Sequence, residues 1–363
     1  MRLTFKELKD EIAKIVPKSI DYRVDLEAGN IAIVTPVPEK FGGGDGLVGK
    51  IAKKIKRKIK IRPDPSIVKP ELEAKSLIES IIPVEAEISQ IYFDGCFSEV
   101  IIQCQNPGEA VGRRGANVNE IRNKTGWIPK VERTPPIFSK SVHDVRSYRN
   151  SIADERKKLL KDFGLNIHRP KRPSSTWVRV TALGSYREVG RACHLVTTNE
   201  SRVMIDVGVN IASDTDPMPY FTAPEALPLE KLDAVVLTHS HLDHAGMLPV
   251  LFKYGYRGPV YCTPPTRDLM LLLQTDYIKV GGAEGKRPAY DMEDIRTCMK
   301  HVVDVDWGET TDITPDVKLT FSNAGHILGS SAVHLHVADG KHNIVFSGDQ
   351  KYEKSWLFDA ANT

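Results

Sequence analysis

Apolar and polar positions change period twice within the first 70 residues, and the same changes then repeat. Leu8, Ile12 and Ile15 share one helical face, which predicts a helix over Thr4–Val16, ended by Pro17. Asp21–Leu26 and Asn30–Thr35 read as strands hinged at Ala28-Gly29-Asn30. A glycine-rich stretch from Phe41 to Lys50 then opens a helix with Ile51, Ile55 and Ile59 on one stripe. Ile59–Ile61 turns strand-like, and Pro63 closes the unit. The order returns 66 residues later: a helix over Glu71–Ile82 stopped by Pro83, then strands at Ile88–Phe93 and Glu99–Gln105. At that single offset Gly112-Arg113-Arg114-Gly115 takes the place of Gly46-Leu47-Val48-Gly49, Ile121 that of Ile55, and Pro129 that of Pro63. A duplicated αββ–(G-x-x-G)–αβ unit accounts for this.

Proline-rich breaks follow each unit, at Ile61–Pro70 and Glu132–Ile137. Val145–Phe163 predicts one charged connecting helix ending at Gly164, and His168–Pro173 a basic hinge. From Trp177 onward, apolar runs end in ligand-type residues or a glycine turn. Val178–Gly184 ends in the turn, Ser201–Gly208 carries Asp206, and Leu232–Thr238 ends at His239. Val317–Gly325 ends at His326, and His342–Gly348 at Asp349. Five strands emptying this way place polar groups along one edge of a layered sheet, where open α/β folds bind ligands.

The densest chemistry is Thr238–Gly246, with three histidines and an aspartate between positions 239 and 244. Alternate side chains of an extended segment point the same way, so His239 and His241 can converge. Asp243 and His244 follow at the turn and can face a second point. Imidazole with carboxylate is a ligand set for zinc and its neighbours. Spacing alone proposes a metal, and leaves the number of ions and the substrate open.

Composition narrows the setting. With 41% hydrophobic and 27% charged residues the chain is ordinary globular protein. No run approaches the ~18 apolar residues of a membrane span, and Met1–Asp10 has no apolar signal core. Five scattered cysteines without a C-x-x-C pair fit a reducing cytoplasm and argue against a cysteine zinc site. Residues 1–172 hold 33 of the 50 Lys and Arg against 23 acids, so a basic front half precedes an acidic, ligand-rich back half. That asymmetry suggests a polyanion reader joined to a metal enzyme.

The duplicated unit resembles the KH nucleic-acid-binding domain in its prokaryotic strand order. The resemblance implies that each loop clamps about four nucleotides of single-stranded RNA. Candidate contacts are Gly46, Gly49, Lys50, Lys53 and Lys54 in the first unit, and Gly112, Arg113, Arg114 and Gly115 in the second. Ala182–Cys193, Met204–Gly208, Thr238–Gly246, Ala324–Ser330 and Phe346–Asp349 match, in order, successive motifs of the metallo-β-lactamase superfamily. The first of these, with Leu271–Tyr277, is most similar to its β-CASP nuclease branch. The whole chain resembles the N-terminal portion of the archaeal KH-domain β-CASP ribonucleases, homologues of the cleavage and polyadenylation specificity factor endonuclease. The expected fold class is α/β (α+β): two tandem prokaryotic-type KH domains, then an incomplete metallo-β-lactamase αββα domain. The expected boundaries are 1–67 and 68–135 for the KH domains, 136–175 for the connecting helix and hinge, and 176–363 for the metallo-β-lactamase part.

Carried over by motif, the resemblance implies that His239, His241 and His326 hold one zinc, Asp243 and His244 the other, and Asp349 bridges them. Asp206 would orient the ligand loop, and Asp243 and Asp206 are the carboxylates that catalysis needs. Ser185 stands where the family usually has glycine. The family's later segments, with a further acidic motif and two histidines, lie beyond Thr363, so one tightly bound Zn2+ is expected here rather than two. His194, His301, His334 and His336 are expected to be structural. The implied function is zinc-dependent endonuclease cleavage of single-stranded RNA, with 5′-to-3′ exonuclease trimming, in RNA 3′-end processing and transcription termination. The alternative is an RNA-binding module that is inactive without further segments. A lactamase or thioesterase would have no use for the basic duplicated front half. The implied partners are single-stranded RNA and the transcription machinery, with homodimerisation through the family's C-terminal part, in the cytoplasm and away from membranes.

Overall fold

The computed structural model of the chain describes residues 3–42, 46–170, 177–213, 215–285 and 287–362. It divides into two compact units, Met1–Asp162 and Phe163–Thr363. Each has its own apolar cores.

In the first unit, α1 (Phe5–Ala13) starts at a capping box, Thr4 and Glu7 satisfying each other's backbone N–H groups. It is followed by β1 (Arg23–Glu27), β2 (Asn30–Thr35), α2 (Leu47–Ile55) and β3 (Ile59–Pro63). The sheet order is β1-β2-β3, antiparallel and then parallel, and Leu8, Ile12, Ile31, Ile33, Phe41 and Ile51 fill its core. The repeat follows as α3 (Glu71–Ile81), β4 (Ile88–Asp94), β5 (Glu99–Cys104), α4 (Pro107–Val111), α5 (Ala116–Thr125) and β6 (Ile128–Arg133). Its sheet, β4-β5-β6, has the same topology over Ile78, Val100, Ile102, Ile121 and Trp127. The two repeats meet at Arg62. Its guanidinium donates to Glu27 at 2.7 and 2.8 Å, to Glu99 at 2.8 Å and to the Phe97 carbonyl at 3.3 Å.

The duplication is confirmed in topology, but its single offset is not. The offset of 66 holds for the first helices. From β2 onward it is 69, Asn30 matching Glu99 and Leu47 matching Ala116. A bulge in β4 between Ile88 and Gln90 and a longer hairpin turn, residues 95–98 against 28–29, supply the extra residues. Two local expectations change as well. Ile59 starts β3 instead of continuing the helical stripe, because Lys56 turns left-handed and ends α2. The connecting helix is two helices, α6 (Lys140–Ser151) and α7 (Ala153–Ile167), broken at Ile152, and α7 runs through Gly164. The part of the basic hinge from Lys171 onward falls outside the described residues.

The second unit opens with β7 (Val178–Ala182), β8 (His194–Thr198) and β9 (Arg202–Ile205). Then come β10 (Ala234–Val236), α8 (Leu242–Ala245), α9 (Leu248–Lys253) and β11 (Val260–Cys262). α10 (Pro264–Ala283), α11 (Met292–His301) and β12 (Val302–Asp304) complete the first layer. The second sheet is β13 (Thr310–Asp312), β14 (Val317–Asn323), β15 (Ser331–Val337) and β16 (His342–Phe346). The sheet orders are β12-β11-β10-β9-β8-β7 and β13-β14-β15-β16. Val203, Ile205, Val236 and Tyr261 of one sheet share a core with Leu319, Phe321, Val333 and Leu335 of the other. The predicted strands all form, but on two facing sheets rather than one. The polar strand ends therefore close on a shared rim from both layers.

Candidate functional site

Asp206 follows the end of β9 and sits deeply buried, its φ of +59° in the left-handed region that aspartate tolerates. Its Oδ1 accepts the Thr238 N–H at 2.7 Å, and its Oδ2 the Thr238 hydroxyl and His244 Nδ1, each at 2.8 Å. Thr238 Oγ1 lies 3.0 Å from His239 Nδ1. Since that hydroxyl donates to Asp206, it accepts from His239 Nδ1, which leaves His239 Nε2 with the lone pair. A metal-binding histidine needs this kind of outer support.

The loop carrying these groups is clamped by backbone. Ala192 N–H donates to the Asp243 carbonyl at 2.8 Å, Val207 N–H to that of His244 at 2.7 Å, and Val209 N–H to that of Leu242 at 2.9 Å. Gly208 permits this approach: a Cβ there would stand 1.6 Å from the Asp243 carbonyl oxygen. Gly348, at φ +55°, packs on the Thr238 side chain, where a Cβ would stand 2.8 Å from the Thr238 Cβ.

Two clusters result. His239, His241, His326 and Asp349 converge so that their donor atoms lie within 4.8 Å of one another, and so do His239, Asp243 and His244. His241 Nδ1 stands 3.1 Å from His239 Nε2 and 3.2 Å from His326 Nε2. Tetrahedral nitrogens around zinc are separated by about 3.3 Å, so the donor set fits such an ion. Asp349 faces both clusters. Its Oδ2 lies 3.5 Å from His326 Nε2 and 3.9 Å from His239 Nε2, and its Oδ1 3.4 Å from His244 Nε2. Asp243 Oδ2 is 3.9 Å from His244 Nε2.

Electrostatics separate the imidazoles. Burial, reinforced by His244, pushes the His239 pKa down to about 3. Burial and His326 lower that of His241. Burial also opposes charge on His244, but Asp206 outweighs it and the pKa is pushed up to about 10. The His244 hydrogen bond holds Asp349 at about 2. His239 and His241 thus stand neutral and ready to donate. His244 carries a proton where a second cation would sit.

All six sequence-predicted ligands meet here. Thr238, Gly208 and Gln274 were not singled out. Gln274, buried on α10, donates to the Ala245 carbonyl at 2.8 Å and fixes the end of α8. Aspartate two residues before glycine at a strand end was the available signal for Gly208. His301 Nδ1 lies 2.9 Å from the Gly258 carbonyl, and His334 packs on His336 along the second sheet, away from the ligand set.

In the first unit, Gly112 and Gly115 take φ values of +74° and +78°, and Arg113 and Arg114 are exposed between them, ahead of α5. The equivalent place before α2 is Gly46, its N-cap, as Gly115 is for α5. Gly49 lies inside α2 and cannot be the second glycine of a loop. The three-residue shift makes Gly43–Gly46 the matching G-x-x-G, and Gly43–Asp45 fall outside the described residues. Lys50, Lys53 and Lys54 are exposed on α2, Lys54 lying 3.5 Å from Glu11 of α1.

Residues 195–363 match the metallo-beta-lactamase superfamily domain, and residues 2–68 match the KH domain of transcription termination factor FttA. The chain thus carries a KH domain followed by a metallo-β-lactamase superfamily domain. It is 49% identical over 356 residues to transcription termination factor FttA of Methanosarcina mazei, covering 98% of this chain and 56% of that protein. It is 44% identical over 364 residues to FttA of Thermococcus kodakarensis, with the same coverage. The chain thus spans about half the length of the curated relatives it matches. Among solved structures, a Cronobacter sakazakii metallo-β-lactamase with a mutated HARLDQ motif is 20% identical at a TM-score of 0.33. That match covers 46% of this chain and 60% of that one. No helix among the described residues is long and apolar enough to cross a membrane.

Proposed function

We propose that this chain binds single-stranded RNA through two KH units and hydrolyses its phosphodiester bonds at a zinc centre in its metallo-β-lactamase domain. Residues 68–135 are the second KH unit in this reading, with 136–175 connecting and 176–363 forming the catalytic part. The single observation that carries it is Asp349, whose Oδ2 faces His326 and His239 while its Oδ1 faces His244. His239, His241 and His326 would hold one zinc, and Asp243 and His244 the other, with Asp349 between them. Bound there, zinc would supply Lewis acidity and an activated water, both of which phosphodiester hydrolysis requires. Asp206 keeps His244 and Thr238 oriented, and Asp243 presents a half-exposed carboxylate at the rim. Arg113 and Arg114 neutralise backbone phosphates at the second loop, which positions RNA without reading its sequence. The names of the relatives support a place in transcription termination; cleavage at transcript 3′ ends and 5′-to-3′ trimming are the activities this reading assigns to it.

The test is incubation of end-labelled single-stranded RNA with the chain and Zn2+, beside Asp243→Ala. Cleavage that this substitution removes supports the reading, and RNA bound but uncut by both refutes hydrolysis. A second reading, RNA binding without turnover, is favoured by the second cluster. It offers three residues, one of them His239, shared with the first. Metal analysis then finds one tight zinc per chain. The double variant Gly112→Asp/Gly115→Asp should weaken RNA binding and leave zinc content unchanged.

A further inference from the structure

Between the two repeats of the first unit lies a cleft of about 960 Å³. One wall is apolar apart from the Glu39 carboxylate: Pro36, Pro38, Ile61 and Pro63 from the first repeat, with Ile67 from the linker and Ile128 from β6. The other wall is a single polar stripe of α5, Asn119, Arg122 and Asn123, spaced as i, i+3 and i+4. A described residue of each glycine-rich stretch lies at or next to this space. Gly42, at the start of the first loop, lines it. At the second loop a Cβ on Gly115 would stand 3.7 Å from the Asn119 amide nitrogen, so loop and stripe are continuous.

The cleft is also held in shape. Arg62 ties Glu27 of the first repeat to Glu99 of the second, with all three side chains at most 15% exposed. The linker is sealed to α5: Lys69 N–H donates to the Thr125 carbonyl at 2.9 Å, and Trp127 Nε1 to the Lys69 carbonyl at 2.9 Å. Gly126 approaches the Ile67 carbonyl so closely that a Cβ would sit 2.3 Å from it.

We propose that this cleft is a nucleobase-reading subsite of single-stranded RNA, occupied by the nucleotides that span the two loops. The inference rests on the KH reading above. An apolar wall opposite a stripe of amides suits an unstacked base, which presents a flat face and a hydrogen-bonding edge together. Asparagine offers a donor and an acceptor to that edge, and Arg122 adds charge for the flanking phosphate. The loops then supply sequence-independent grip, and the cleft supplies the preference.

The test uses the full chain and two labelled RNAs, one of about 4 nucleotides and one of about 12, long enough for two clamps and the span between them. Asn119→Ala/Asn123→Ala, both exposed, should weaken the longer RNA about tenfold and leave the shorter unchanged. Selection from a randomised pool should return a flattened base preference for this variant. Gly112→Asp/Gly115→Asp should weaken both RNAs. Unchanged affinity for the longer RNA and an unchanged preference in the asparagine variant would overturn the cleft proposal while the loop variant still loses binding. If the loop variant also binds both RNAs normally, the KH reading itself has failed. Circular dichroism of both variants checks that neither result comes from unfolding.

Discussion

Replacing Asp206 by alanine tests the supporting layer of the proposed metal centre. The carboxylate accepts three hydrogen bonds within 2.8 Å and is itself buried. Its loss strands the Thr238 N–H and hydroxyl and His244 Nδ1. A buried donor left unpaired costs about 1–3 kcal/mol. His244 and Thr238 are nearly closed to water, but the alanine cavity can admit one molecule, so the total is about 3–5 kcal/mol. For a unit of this size that lowers the melting temperature by about 6–20 °C. Freed imidazoles should also bind zinc about 10–100-fold more weakly. Asp206→Asn keeps a side chain that accepts the left-handed backbone and the Thr238 N–H. It should recover about half of the stability and little of the zinc affinity, because its amide cannot accept from both His244 and the hydroxyl. Calorimetry resolves the transition of the second unit, and competition with a chromophoric chelator measures the metal. A D206A protein that melts within ~2 °C of the wild type and binds zinc within about twofold would refute the argument.

Further outcomes follow from the same geometry. Gly208→Ala should abolish tight zinc binding and leave unfolding of the first unit unchanged, since its Cβ would meet backbone atoms of Asp243 at 1.6 and 2.2 Å. Differential calorimetry with metal analysis checks both halves of that statement. Filling of the second cluster must displace the His244 proton, whose pKa is raised to about 10. Zinc uptake there should release about one proton near neutral pH and tighten as pH rises, which titration calorimetry in buffers of different ionisation enthalpy measures. Arg62→Ala should destabilise the first unit by about 3 kcal/mol, because the largely buried Glu27 loses this partner and Glu99 keeps Lys130. Burial alone would raise the Glu99 pKa, but Arg62 and Lys130 lower it. Its stabilisation is therefore complete above the ordinary glutamate value of 4.5 and is lost as pH falls below it. Denaturation series against pH should show that acid-side loss in the wild type and a flatter profile in R62A.

Local pattern was enough to read much of the molecule. Apolar periodicity with proline and capping stops placed the helices and strands of both repeats, because burying one face demands that spacing. The clustering of these six side chains was legible because His239, His241, Asp243 and His244 share one short loop, and because His326 and Asp349 each end an apolar run. The sequence did not carry register. A bulge and a two-residue-longer turn moved the second repeat by three positions, which removed Gly49 from the loop and put Gly46 in the place of Gly115. Nor could it carry distance. That Asp349 turns one oxygen to each cluster, that Gly208 gives way to the Asp243 carbonyl, and that Gly42 and Asn119 line one cleft depend on segments far apart in the chain. Side-chain type and spacing are local properties written in the chain. The approach of one backbone to another is settled only when two sheets, or two repeats, have packed.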